Sequence, residues 1–272
     1  MSKTAPEQVQ VNSALAAPQE ISFHINAQVD QAIQQAETRF DQLISNHELT
    51  VLAYLGFGKN QIKKFKTSPD GFMQMVIQLA YYKMFGVNRP TYESGQTRKF
   101  QLGRTETCRS VSAESVAFCK AMESDISAEE KIAAFRKAVK AQGAYMGMCV
   151  NAHGVDRHLF GLKKSLKAGE PVPAIFSDPA FAYSSHWYLS TSQLSSEYFD
   201  GYGWGQVVND GFGVAYMINT NSLNFNVASV KDLVVHGKKY VNGTYHFKQC
   251  LEDAANELGD LLKTELKPQA KL

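Results

Sequence analysis

The chain has 272 residues, 44% hydrophobic and 20% charged, with a formal charge of +2. Such a composition suits a soluble globular protein able to bury a full core, and its balanced charge excludes a strongly basic nucleic-acid binder. No apolar run reaches membrane-spanning length, and the first residues lack the basic-then-apolar pattern of a signal peptide.

In chain order, residues 1–19 are polar and without periodicity, and read as a disordered or extended lead-in. Ile21–Ile25 alternates like a short strand. From Val29 through Ile33, Ala36, Phe40 and Ile44 an apolar stripe predicts a helix. Thr50–Phe57 reads as a buried strand. Gly56–Asp70 reads as a basic loop in which Lys59, Lys63, Lys64 and Lys66 crowd together; no Gly-Lys-Ser/Thr closes it as a Walker loop. Ser68-Pro69-Asp70 then opens a helix reaching Phe85, with a hydroxyl cap and a proline in its first turn.

Pro90–Arg109 is polar and rich in hydroxyls, which suits a substrate-facing strand and turn. Ser127-Ala-Glu-Glu130 is a capping box, and its helix runs to about Val150. Gly154–Lys163 predicts another helix. Asp156, Arg157 and His158 are adjacent there, so they point in different directions and cannot act jointly on one small group. A proline-punctuated loop spans Pro171–Pro179. Strands are expected at Phe212–Met217 and Leu223–Ser229, a surface connection at His236–Gly243, and a last helix at about Thr244–Leu266. Four well-separated cysteines (Cys108, Cys119, Cys149, Cys250) form no metal-ligand pair and read as buried thiols in a reducing compartment. One domain is expected over residues 20–266, with a free tail at 267–272.

The stretch that organises the chain is His186–Gln193. It reads as a strand, so Ser190 and Ser192 share one face and Thr191 takes the other. Two hydroxyls on one face form a compact pair of adjustable donors, able to hold a carboxylate or stabilise an oxyanion. Tyr198–Tyr216 follows, dense in glycine among aromatics, which suggests backbone packed tightly around a ligand channel.

Ser190-Thr-Ser, Gly205-Gln-Val-Val and Asp210-Gly-Phe-Gly-Val-Ala-Tyr resemble the carnitine/choline acyltransferase family. Upstream, Ser68-Pro-Asp, Gln78-Leu-Ala-Tyr-Tyr, Thr91-Tyr-Glu-Ser, Leu102-Gly-Arg-Thr-Glu-Thr and Asp156-Arg-His-Leu continue the match. It covers residues 20–265 and is most like the C-terminal half of fungal-type carnitine acetyltransferases. The implied fold is α/β and chloramphenicol-acetyltransferase-like, a mixed β-sheet flanked by helices.

The implied activity is reversible acetyl transfer between coenzyme A and carnitine, with no metal. The resemblance gives Ser192 the oxyanion. It gives Tyr92, Ser94, Thr105, Arg157, Ser190, Trp204 and Val207 to carnitine, with Arg157 as the cation for its carboxylate and Trp204 facing its trimethylammonium. Lys59, Lys63, Asp70 and Gln193 go to coenzyme A. Tyr202, bulky where long-chain members have glycine, implies a short acyl group. Gly143 stands where animal members carry an arginine near coenzyme A, so that contact does not carry over.

The family's base is a histidine in a His-x-x-x-Asp motif of its N-terminal half. None of the seven histidines here has an aspartate four residues later, and only His186 falls near the site residues. The isolated chain is therefore expected to be inactive, its partner being the missing N-terminal half or a full-length enzyme. A non-catalytic binding or regulatory fragment is the alternative, and a choline acetyltransferase a weaker one. Ala270-Lys271-Leu272 resembles the tripeptide read by the peroxisomal import receptor. The family resemblance leaves a second, mitochondrial address open through a presequence ahead of Met1.

Overall fold

The computed structural model describes residues 16–196, 198 and 200–266, and the chain divides into two compact units, Met1–Leu43 and Ile44–Leu272. The C-terminal tripeptide lies outside the described residues, as do residues 1–15 of the lead-in. In the first unit residues 16–26 have no regular structure, and α1 (Ala27–Ser45) follows with none of its residues buried. The alternation at Ile21–Ile25 does not become a strand, because it pairs with no other strand among the described residues. An unpaired strand has no ladder to satisfy its backbone.

The second unit runs β1 (His47–Tyr54), α2 (Lys59–Lys64), α3 (Pro69–Phe85), β2 (Thr91–Gln96), β3 (Thr105–Arg109), α4 (Ala113–Met122), α5 (Ala128–Val150) and α6 (Val155–Lys164). A 3-10 turn (Ala174–Ser177) and α7 (Pro179–Ser184) lead to β4 (Leu189–Gln193), β5 (Phe212–Ile218), β6 (Leu223–Val230), β7 (Asp232–Val235), β8 (Lys238–Val241) and α8 (Gly243–Thr264). Among the described residues six strands form one mixed sheet, ordered β1-β6-β5-β4-β2-β3. In it β4 is parallel to both β2 and β5, and the other pairs are antiparallel. A mixed sheet flanked by helices bears out the expected α/β class.

Two stretches depart from their expected form. His236–Gly243 is not a plain connection: β7 and β8 pair as a hairpin, turned by His236 and Gly237 at φ 52° and 75°. Two consecutive left-handed residues give the turn twist that antiparallel strands require. The basic loop contains α2, because Ile62 and Phe65 are buried one turn apart and leave Lys59 and Lys63 together on another face. Charge hid a short amphipathic helix.

α3 is the central helix. Ser68 accepts a hydrogen bond from the Gly71 amide at 3.3 Å, Pro69 occupies the first turn, and Gly86 ends the helix at φ 71°. Every residue from Gly71 to Tyr81 is buried, so this helix has no solvent face. Its core partners include Leu189, Val214 and Phe225 from the sheet and Phe247, Leu251 and Leu258 from α8. Phe72 lies 5.7 Å from Phe57, 6.4 Å from Phe65 and 6.3 Å from Phe135, ring centroid to centroid. That cluster fastens the segment around α2, and α5, to the start of α3. Phe72→Ala is expected to cost about 3–5 kcal/mol. Urea unfolding should show a lower midpoint at an unchanged slope; a loss below about 1 kcal/mol would mean the cluster collapses onto the gap.

Candidate functional site

β4 divides two environments. Leu189 and Thr191 are fully buried, whereas Ser190 and Ser192 are half-buried on the opposite face. Register carries that outer face across the sheet, since directly paired residues point the same way. Tyr92 lies opposite Ser190 and Arg109 opposite Tyr92, with Ser94 two residues along β2. On the other side Gly213 lies opposite Ser190, Ala215 opposite Ser192, and Asn226 opposite Ala215.

Because β4 and β5 are adjacent and parallel, the chain must cross the length of the sheet between them. Residues 194–211 make this crossing, and none of the described ones lies in a helix. The Tyr202 hydroxyl donates to the Ser192 carbonyl at 2.6 Å and lies 3.3 Å from that of Tyr216. Burial pushes this phenol up to about 12, so at neutral pH it stays a donor. Trp204 stands beside it, ring centroids 5.7 Å apart. The glycines serve this crossing. A Cβ on Gly213 would sit 2.7 Å from the carbonyl oxygens of both Trp204 and Gly205, so only glycine admits the crossing so close to β5.

One corner of the face is cationic. The Arg157 guanidinium donates to the Tyr92 hydroxyl and the Thr105 hydroxyl, both at 3.3 Å, and to the Thr105 carbonyl at 3.0 Å. Its position depends on α6, whose N-cap, Gly154, has no side chain to satisfy the first amides. Glu106 takes that part: both its carboxylate oxygens lie 3.2 Å from the Arg157 amide. Its carboxylate also complements the positive end of the helix. Behind the corner, Arg109 holds Asp156 by two bonds of 3.0 and 2.7 Å and lies over Trp187 at 4.6 Å. That pair is structural.

The C-terminal ends of β4 and β5 gather a different set. Gln193 is exposed there and donates to the Ser195 hydroxyl at 2.7 Å. The Lys59 amide donates to the Asn219 carbonyl just past β5, at 2.8 Å, which brings the start of α2 to this end. Lys59 is half-buried and Lys63, one turn on, is exposed. Asp70, in the first turn of α3, accepts the Tyr216 hydroxyl at 2.6 Å. At the other end of β4, His186 bonds Asp210 at 2.6 Å, and both line an open cavity of about 760 Å³.

The fold thus brings Tyr92, Thr105 and Arg157 into one bonded cluster and sets Ser94, Ser190 and Ser192 on the same face. Tyr202 and Trp204 belong to the crossing above them. Val207 is separate: it is exposed and lines the His186 cavity. Exposure alternates along 202–207, which turns Trp204 towards the sheet and Val207 away from it. Sequence reasoning missed Glu106 and Asp210. A helix start at glycine, with no capping side chain, is the one signal that could have prompted a search for a distant acid.

The family model described as "Choline/Carnitine o-acyltransferase" matches residues 1–253. A mitochondrial carnitine O-acetyltransferase of Saccharomyces cerevisiae is 44% identical over 257 residues, covering 94% of this chain and 38% of the relative. The carnitine O-acetyltransferase of Homo sapiens is 37% identical over 217 residues, covering 79% and 35%. A choline O-acetyltransferase of Danio rerio is 34% identical over 266 residues, covering 94% and 40%. The chain spans 35–40% of the length of these relatives.

Gly154→Ala tests the cationic corner. The added Cβ would lie 2.3 Å from Glu106 Cγ, so Glu106 must leave the start of α6. Losing a cap typically costs about 0.5–2 kcal/mol. Hydrogen exchange should show the Arg157 amide less protected in the variant. Unchanged protection would mean that Glu106 does not hold this helix.

Proposed function

Because the chain belongs to the choline/carnitine O-acyltransferase family, we propose that it is the portion of a carnitine O-acetyltransferase that holds carnitine, coenzyme A and the reaction's oxyanion. The observation that carries this reading is Arg157 fixed beside the Tyr92 and Thr105 hydroxyls. A cation flanked by hydroxyls is a carboxylate site. Carnitine has a carboxylate and choline has none.

In this reading carnitine lies along the outer face from Arg157 towards Ser192, with Ser94 and Ser190 beside it and the Trp204 ring against its trimethylammonium. A base removes the proton from the carnitine hydroxyl, whose oxygen attacks the thioester carbonyl. The Ser192 hydroxyl donates to the oxyanion, and the carbon–sulfur bond breaks as the coenzyme A thiolate leaves and takes up the proton. Lys59 and Lys63, two point charges one turn apart, suit the phosphates of coenzyme A. Gln193 and Asp70 stand at the same end of the sheet. The base comes from a catalytic portion outside this chain, so the chain alone should not turn over. Peroxisomal import through Ala270-Lys271-Leu272 is part of the same proposal; the name of the yeast relative places that protein in mitochondria.

Two outcomes check it in an enzyme completed with a family N-terminal half. Ser192→Ala should lower kcat by about 10²–10³, that is about 2.7–4 kcal/mol, with little change in the carnitine KM. An effect confined to KM would make Ser192 a binding residue only. Tyr202→Gly should admit octanoyl-coenzyme A; if that substrate stays as poor as before, Tyr202 does not border the acyl group.

A further inference from the structure

Beneath the site lies a polar cluster of which only Asp70 has been given a part in binding. Glu93, on the inner face of β2, is only 2% exposed. Its oxygens accept from the Ser110 hydroxyl at 2.8 Å and from the Gln142 amide at 3.0 Å. Another acid, Asp70, faces it from α3. Among the described residues no lysine, arginine or histidine forms an ion pair with either carboxyl.

The titratable groups facing Glu93 are Asp70 from α3, Cys108 from β3 and Tyr216 from β5. None of them carries positive charge. α5 presents the uncharged Gln142 and the segment after β3 presents Ser110. Two facing carboxylates without a cation disfavour each other's ionisation, and Glu93 is the more deeply buried of the two. Asp70 is the better placed of the two for a charge. It is half-buried, it accepts the Tyr216 hydroxyl at 2.6 Å, and it sits in the first turn of α3, where the helix favours negative charge.

We propose that Glu93 and Asp70 share one proton, carried on Glu93, and that Glu93 is a positioning residue for the Asp70 carboxylate. The bonds continue from Asp70 to Tyr216, whose hydroxyl accepts from Gln74 at 2.9 Å. Gln74 also donates to the Thr191 hydroxyl at 3.1 Å, which in turn donates to the Tyr92 carbonyl at 2.8 Å. The protonated acid therefore steadies both the start of α3 and the strand that displays Ser190 and Ser192. Burial, and next the Asp70 charge, holds the Glu93 acid well above the usual carboxylate range.

The sign of the pH effect follows. Unfolded Glu93 loses its proton near the ordinary glutamate value while the folded acid keeps it, so stability falls as pH rises through that window and levels off above the folded value. Within the window each pH unit lowers the folding constant by up to tenfold for this one group. The experiment is urea unfolding of the 272-residue chain from pH 4.5 to 9, beside Glu93→Gln and Asp70→Asn. Glutamine keeps a donor for Asp70 and an acceptor for Ser110, so Glu93→Gln should fold and lack this decline, up to tenfold per unit.

Asp70→Asn removes the like charge and should move the decline to lower pH. Infrared spectra of the unsubstituted chain at neutral pH should show a buried protonated carboxyl band, and in Asp70→Asn it should vanish at lower pH. That reading stands even if Glu93→Gln fails to fold. Parallel pH profiles for the parent and Glu93→Gln, or no protonated carboxyl band at neutral pH, would overturn the proposal. Neither measurement depends on the reading of the site as a carnitine and coenzyme A pocket.

Discussion

The amide of Gln74 ties the two sides of the molecule together. It reaches the Thr191 hydroxyl and the Tyr216 hydroxyl from a helix with no solvent face. Gln78 does the same one turn later, donating to the Thr91 hydroxyl at 3.0 Å. Buried amides of this kind cost free energy unless they are paired, so their pairing fixes how α3 lies against β2, β4 and β5. A slip of one residue along β4 would move Thr191 outward and one of the serines into the core. The hydrogen bonds on the inner face therefore specify which hydroxyls face the site.

The outer face follows from topology. Parallel neighbours at β4 and β5 require a long crossing, and that crossing supplies the roof of Tyr202 and Trp204 above Ser192. Glycine at 213 lets the roof lie close. Charge is placed by a separate device, Glu106 at the start of α6, which aims Arg157 across Tyr92 and Thr105. Acids do this work at two places. Glu106 accepts a helix amide, and Glu93 meets a second acid.

Much of this architecture was legible in the chain. The cap and proline before α3, the capping box at Ser127 and the alternation through Ser190–Ser192 are local signals, and each element forms where they point. Longer-range features were not legible. Whether Ile21–Ile25 becomes a strand depends on a partner strand, not on its own alternation. α2 was hidden because three lysines outweigh the one buried apolar residue, Ile62, in so short a segment. The Tyr92, Thr105 and Arg157 cluster was anticipated through family likeness, but Glu106, which orients it, is joined to Arg157 only by the fold. Val207, near Trp204 in sequence, is exposed and lines the His186 cavity.

In the proposed function Arg157, held by Glu106, makes this outer face a carboxylate site. The most direct measurement is the ratio of kcat/KM for carnitine to that for choline, in the enzyme completed with a family N-terminal half, before and after Arg157→Ala. A charge-assisted hydrogen bond contributes about 1.5–3 kcal/mol, so the substitution is expected to lower the ratio by roughly ten- to hundredfold through carnitine alone. An unchanged ratio, or an equal loss with choline, would contradict it.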